Sequence, residues 1–237
     1  MNYIFSKKKP EIGDKGFIIG DRFVKIAANG KIMPKEGLVF YAPLQKGIAP
    51  IIGNAPSLSG ESVFGEINGI KCLQCNGNTR IDYPQTDDLP TGNAPRSMSA
   101  WISSTRIYDR DWDFACGFGD GDSDTMSYCF HATGKLCLYR RDMVSNYSFV
   151  SNYPNDNTWV HCLTTFDGTT LKMYANGVLI RSNNLSYATS NRSVYLGYLG
   201  TQNGFEYHGN ITSFRIYNRA LTEDEILLLS QEFVPTT

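Results

Sequence analysis

The sequence predicts an all-β fold: an antiparallel jelly-roll sandwich with one short C-terminal helix and a small N-terminal hairpin. Three observations carry this. Turn dipeptides such as Asn-Gly and Asp-Gly recur between short apolar runs, and they are the strongest local hairpin signals. Aromatics make up 13% of the residues and charged residues only 19%, against roughly 25% charged in an average domain. A single stretch carries a helix-start signature. The 237 residues suit one large β domain, since single sandwiches run to about 200–250 residues.

The elements follow in order. Gly16–Gly20 and Phe23–Ala27 flank a Gly20-Asp21 turn and read as a hairpin, and Asn29-Gly30 is a second turn signal. One hairpin alone is marginal, so residues 1–36 are expected to dock on something as an N-terminal anchoring segment, with 37–237 as the main domain. Gly37–Leu44 reads as a strand ending at Pro43, and a Gly/Pro/Ser-rich loop follows to about residue 60. Ile70–Leu73 and Thr79–Tyr83 are short strands separated by Asn76-Gly77. Ser97–Ile102 alternates with period two, as a half-buried strand does. Asp113–Phe118, Met126–Ala132 and Leu136–Arg140 come next, with turns at Gly119–Asp122 and Thr133-Gly134. Trp159–Phe166, Leu171–Ala175 and Val178–Arg181 form a meander turned at Asp167-Gly168 and Asn176-Gly177. Ser193–Leu199 and Gly209–Tyr217 complete the strands. Thr222-Glu223-Asp224-Glu225 is a capping box, in which the Thr hydroxyl and the Glu side chain satisfy each other's backbone amides. Ile226, Leu229 and Phe233 then pack on the sandwich.

Charge and cysteine usage bound the partners. Net charge is −1 overall, but residues 1–36 carry +4 and residues 37–237 carry −5. No global basic field draws the chain to nucleic acid. No apolar run approaches the about 18 residues a membrane span requires. Met1–Ser6 does not read as a secretory leader, because the lysines follow it instead of preceding an apolar stretch. Cys72, Cys75, Cys116, Cys129, Cys137 and Cys162 sit in apolar strand contexts, where free thiols behave as small buried hydrophobes. The sequons at Asn146, Asn184, Asn191 and Asn210 carry little meaning without export.

Two longer motifs carry a resemblance. The run Trp159-Val160-His161-Cys162-Leu163-Thr164-Thr165-Phe166-Asp167-Gly168, with Leu171-Lys172-Met173-Tyr174-Ala175-Asn176-Gly177, resembles the central signature of laminin-G-like, concanavalin A-like domains. Arg215-Ile216-Tyr217-Asn218-Arg219-Ala220-Leu221 resembles the closing motif of the same superfamily, and Gly37–Leu44 its opening strand. The resemblance covers about residues 37–233. It implies a jelly roll with function at its loops, but fold does not fix function. Where many members carry an Asp at a calcium rim, this chain has Thr212.

Candidate sites follow from residue chemistry. Asp120, Asp122 and Asp124 place oxygen ligands at alternate positions, as Ca2+ and other hard cations require. Thr125 and His131 stand where an EF-hand loop carries its glycine and distal Glu, and a plain hairpin turn is the alternative reading. Sugar sites combine an aromatic face with amide and carboxylate groups. Three stretches have that make-up: Tyr108–Asp113 with Trp112; Ser145–Tyr147 and Asn152–Asn155 with Tyr147, Tyr153 and Asn155; and Thr201–Tyr207 with Asn203, Phe205 and Tyr207. Catalysis finds less support. The Glu-x-Asp-x-x-Glu strand motif of related glycoside hydrolases is missing, and so are a Gly-x-Ser-x-Gly elbow and a phosphate loop. Asp109, Asp111 and Asp113 would share one face of a strand with Trp112 on the other.

The sequence therefore points to a non-catalytic module that binds glycans on a cell surface or in mucus. The absence of a leader and the unpaired thiols suit a virion protein, a phage fibre or decoration subunit, assembled in a reducing cytosol. Residues 1–36 would contact other virion proteins, and copies would associate, for example as a trimer. The rivals are a carbohydrate-binding accessory module or glycoside hydrolase-like protein exported by a bacterium, secreted or at its surface, and a purely structural virion subunit.

Overall fold

A computed structural model describes residues 16–19, 22–25, 33–104, 112–120, 123–140, 147–151, 153, 156–190, 193–200 and 204–233. Strand β1 (Gly16–Ile19) pairs antiparallel with β2 (Arg22–Lys25) in a two-stranded sheet of its own. The turn predicted at Gly20-Asp21 and the one at Asn29-Gly30 lie outside the described residues.

The main domain uses β3 (Leu38–Ala42), β4 (Ser57–Gly60), β5 (Val63–Ile67), β6 (Ile70–Asn76), β7 (Thr79–Tyr83), β8 (Arg96–Ser103) and β9 (Trp112–Asp120). It continues with β10 (Ser123–His131), β11 (Lys135–Tyr139), β12 (Tyr147–Val150), β13 (Val160–Phe166), β14 (Thr170–Ala175), β15 (Val178–Asn184), β16 (Val194–Leu196) and β17 (His208–Tyr217). Helix α1 (Glu223–Ser230) closes it. Two antiparallel sheets form the sandwich. One runs β12-β11-β10-β9-β16-β7-β4 and the other β15-β14-β13-β8-β17-β6-β5. The ten-residue β17 pairs with β8 along one edge. Its other edge is divided between β6 at its start and β3 at its end. The predicted jelly-roll architecture is the observed one.

Between the sheets lies one large core. Phe40, Leu73, Met98, Ile102, Phe118, Tyr128, Phe130, Cys162, Phe166, Met173 and Phe214 belong to it, all essentially inaccessible to solvent. Removal of apolar area from water at about 25 cal/mol per Å² drives this assembly. Outside the second sheet, α1 lays Ile226 and Leu229 on Leu163, Tyr174 and Tyr217. The predicted capping box is present, with Thr222 accepting from the Glu225 amide and Glu225 accepting from the Thr222 amide. Met33 joins the same cluster, the Tyr217 hydroxyl donates to the Pro34 carbonyl at 3.2 Å, and Arg219 donates to the Glu36 carbonyl at 2.9 Å. Residues 33–36, read from sequence as part of the anchoring segment, therefore pack on the sandwich.

The Asn176-Gly177 turn shows how local chemistry fixes a hairpin. Both residues have positive φ, 50° and 82°, as a two-residue type I′ turn demands. The Asn176 side chain accepts from the His161 amide at 2.8 Å, which ties the turn to the neighbouring strand. A Cβ on Gly177 would meet the Ser230 hydroxyl at 2.6 Å, so α1 packs directly over this glycine. The Asn76-Gly77 signal behaves differently. The strands it joins, β6 and β7, belong to different sheets, so this turn is a crossing and not a hairpin.

All six cysteines are buried and unpaired by disulfides. Burial pushes the Cys72 thiol up to about 11 and Cys75 to about 12, and raises the other four. A neutral, enclosed thiol is a poor nucleophile. An aromatic disulfide reagent should therefore find no fast-reacting thiol in the native protein and six in guanidinium. Fewer than six after denaturation without reductant would show disulfides.

His161 is fully buried on the outer side of the second sheet, with Nε2 2.9 Å from Ser99 Oγ and its ring 5.2 Å from that of Trp101. Burial lowers its pKa from 6.5 to about 3; nearby Glu232 opposes this and Arg215 adds to it. The unfolded chain thus binds a proton below pH 6.5 that the folded chain refuses. Stability is complete above that pH and falls as pH drops toward 3, by at most about 1.4 kcal/mol per pH unit from this group. Urea unfolding between pH 7 and 5 should show this slope, and His161→Gln should flatten it.

Candidate functional site

The central strands β9, β10 and β11 of the seven-stranded sheet bury residues on both faces. On β9, β10 and β11, Cys116, Phe118, Met126, Tyr128, Phe130, Leu136 and Leu138 point into the main core. Cys129 and Cys137 alternate with these, and Phe114, ahead of a bulge in β9, points the same way; the three build a second cluster with Tyr195, Tyr198 and Leu199. A bulge at Ala115 of β9 lets the consecutive Tyr128 and Cys129 of β10 face Cys116 and Phe114. Half-buried Trp112, Tyr139 and Phe205 cover this cluster from outside.

The rings form a continuous patch. Trp112 lies with its centroid 4.3 Å from His131, 5.6 Å from Tyr139 and 6.4 Å from Phe114. Phe114 meets Tyr139 edge-on at 4.8 Å and Phe205 at 5.9 Å. The Phe114 amide donates to the Phe205 carbonyl at 3.2 Å, which fastens the loop before β17 to β9. Beneath the patch, the Tyr195 hydroxyl shares hydrogen bonds with Thr125 and Ser127.

A polar rim continues from Phe205. Glu206 pairs with the Arg80 guanidinium and accepts from the Gly204 amide at 3.1 Å. Burial works against ionisation of Glu206, but the Gly204 amide and Arg80 outweigh it and hold the carboxyl below its ordinary value. Arg80 also lies over the Tyr198 ring at 5.7 Å, and the Tyr198 hydroxyl donates to Asp82. Burial, with the Asp82 carboxylate, pushes the Tyr198 hydroxyl up, so it stays a donor. The arrangement offers flat apolar rings beside fixed donors and acceptors, which is the chemistry that recognises the C–H faces and hydroxyls of a saccharide.

The structure sorts the sequence candidates. Trp112 and Phe205, from two separate stretches, are brought together on this face through Phe114. Tyr207 and Tyr153 are corrections, since both lie in the main core. The Tyr207 ring stacks on Phe130 at 5.8 Å and its hydroxyl donates to the Ser103 carbonyl at 2.8 Å. The Tyr153 ring meets the other side of that core at 4.9 Å from Phe130, and its hydroxyl accepts from the Ser104 amide at 2.8 Å and donates to the Thr158 carbonyl. Hydroxyls satisfied by backbone leave neither residue a group for a ligand. Tyr147 opens β12, and Asn155 and Asn203 lie outside the described residues.

Asp120 ends β9 and pairs in register with Ser123, next to Asp124 on β10, while Asp122 lies outside the described residues. Among the described residues, no three His, Cys, Asp or Glu side chains are grouped to hold a metal. Thr212 is buried and donates to the Pro43 carbonyl at 2.9 Å, a structural role. Asp113 points inward, opposite in sense to Trp112, with its carboxylate 3.6 Å from His208 Nδ1. Asp109 and Asp111 lie outside the described residues. His131, Tyr139, Tyr198, Arg80, Asp82 and Glu206 were not singled out as ligand-binding residues from sequence. The signal for the aromatic part is the run Leu136-Cys137-Leu138-Tyr139 on β11, apolar or aromatic at both parities, beside Trp112 and Phe114 on β9.

Two packed antiparallel sheets, with the strand order above and one rim helix, define a jelly-roll β-sandwich. Residues 76–227 match the family model described as the concanavalin A-like lectin/glucanases superfamily, and the chain belongs to that family. No curated protein sequence matches it. Among solved structures it is similar to domain 4 of AbnA, a GH43 extracellular arabinanase from Geobacillus stearothermophilus, solved with arabinotriose. The two are 20% identical with a TM-score of 0.65, over 84% of this chain and all of that one. It is also similar to the botulinum neurotoxin serotype G binding domain, with 15% identity, a TM-score of 0.62, and 81% of this chain and 50% of that one covered. A third likeness is to the binding domain of Paraclostridial mosquitocidal protein 1, with 20% identity, a TM-score of 0.56, and 82% and 52% covered. The chain thus spans about half the length of these toxin domains. At such identities the likeness concerns the fold.

Tyr195→Phe should cost about 1 kcal/mol in stability, because it removes the hydroxyl that hydrogen-bonds both buried Thr125 and Ser127. Denaturant unfolding reads this directly, and an unchanged midpoint would show that the hydroxyl network is replaceable.

Proposed function

We propose that the chain is a non-catalytic glycan-binding domain whose saccharide stacks on the outer face of the seven-stranded sheet. The observation that carries the reading is the half-buried Trp112, set among His131, Tyr139 and Phe205 and bordered by Arg80, Glu206 and Asp82. In this reading, the rings take the apolar face of a sugar and the rim orients its hydroxyls. A jelly-roll domain solved with arabinotriose supports a saccharide as the ligand. Both rim carboxylates are engaged, Glu206 by Arg80 and Asp82 by Tyr198, which supports binding over acid–base chemistry.

The wider setting belongs to the same proposal. Residues 1–36 attach the domain to a larger assembly, a virion in the reading favoured here, and the domain presents its face to cell-surface or mucosal glycans. Six unpaired thiols support assembly in a reducing compartment.

A glycan array followed by calorimetry tests this. The wild-type chain should bind at least one saccharide class, and Trp112→Ala should weaken that binding about tenfold or more, a loss of ~1.4 kcal/mol. Binding untouched by Trp112→Ala would move the site elsewhere. An array without hits would favour a purely structural subunit.

A further inference from the structure

Among the described residues, the exposed large aliphatic side chains gather on the two lateral sides of the sandwich. Val178, Leu179 and Ile180 stand in a row on β15, the last strand of its sheet, at 65%, 47% and 39% exposure. Leu227 of α1, 47% exposed, joins them across the Asn176-Gly177 turn, where its Cδ1 lies 3.4 Å from the place a Cβ on Gly177 would occupy. The opposite side carries Val63 on β5 at the other end of the same sheet, Leu58 on the edge strand β4, and Ile51 and Ile52 beyond β3. Isolated exposed aliphatics need no explanation, but contiguous ones on a strand edge mark an association surface.

We propose that these two sides are halves of one head-to-tail interface: the β15 edge of one copy of this chain docks against the β5 edge of the next. Three observations favour a second copy in this orientation. The six strand pairings from β15 to β5 are all antiparallel, so the two edge strands run in the same direction. A neighbour that continues the sheet therefore presents β5 to β15 without being turned over. The charges also complement: Arg181 is exposed on β15, while Glu61 and Glu66 are exposed at β5, Glu66 opposite Lys71 in the ladder. A two-fold pairing of β15 with itself would bring no carboxylate of that strand to Arg181. The register shift at Ile180 interrupts the β15 ladder, so the contact is made by the aliphatic side chains and a short stretch of backbone. Such a heterologous contact closes into a ring or runs on as a filament. The inference stands on the two edges alone and does not depend on the saccharide reading.

Sedimentation velocity of the full chain over about 1–200 µM tests it. The wild type should associate beyond a dimer or close at a ring of three or more. Leu179→Glu and Val63→Glu, each at an exposed position, should both weaken association tenfold or more. Mixed together, these two variants should form a heterodimer and nothing larger, since only one intact pair of edges remains. A wild type that stays monomeric would overturn the proposal. So would a dimer that Val63→Glu leaves intact, or an oligomer that neither substitution disturbs.

Discussion

The centre of the seven-stranded sheet, strands β9 to β11, is organised by the need to cover both of its faces. A sandwich sheet ordinarily alternates apolar residues inward and polar residues outward. On β9, β10 and β11 that rule is broken, because Phe114, Cys129 and Cys137 point outward as firmly as Phe118, Tyr128 and Leu138 point inward. Their outward face needs a cover, and Trp112, Tyr139, Tyr198 and Phe205 supply it. The aromatic patch is therefore a consequence of packing before it is a site. What makes it a candidate site is that its outermost rings remain partly open beside a fixed polar rim.

A second constraint acts on the outer side of the opposite sheet. Arg215 on β17 is buried and holds Glu232 bidentately at 2.8 and 2.9 Å, while the Ser213 hydroxyl donates to the same carboxylate at 2.9 Å. The Arg215 guanidinium also lies 4.2 Å from the Tyr41 ring centroid. Burial opposes its charge, but Glu232 more than restores it and raises its pKa. A pair of this kind adds little net stability over apolar packing, yet losing one partner costs about 3–5 kcal/mol. Its effect is registry: the chain after α1 is fixed against β17, the strand to which β8, β6 and β3 all pair.

Most strands were legible because their turns are. The Asn176-Gly177 and Thr133-Gly134 turns, together with alternating apolar runs, gave β10, β11 and β13–β15 nearly to their ends. The strands that escaped, β4, β5 and β12, are short edge strands; β4 is exposed throughout, and β5 and β12 send only Phe64, Phe149 and Val150 to the core. Asn68-Gly69, with φ of 52° and 79°, does close the β5–β6 hairpin, but Gly65 and Glu66 break the pattern before it. Asn76-Gly77 misled in the other direction, because a turn signal does not say which sheet the next strand joins. The site was half legible. Trp112 and Phe205 stood out as aromatics near turns, but so did Tyr153 and Tyr207, and sequence cannot tell a ring capping the core from one facing out. The ion pair of Arg80 with Glu206 spans 126 positions in the chain, a distance no local pattern reports.

The account's central claim is that the outer aromatic face of the seven-stranded sheet, and not the loop tips at its ends, is where a ligand sits. A crystal structure of the chain with the best saccharide from an array tests this most directly. The account predicts a sugar ring within about 4 Å of Trp112, with hydroxyls directed toward Arg80, Glu206 or Asp82. A sugar seated at the turn between β9 and β10, or anywhere away from Trp112, would contradict it.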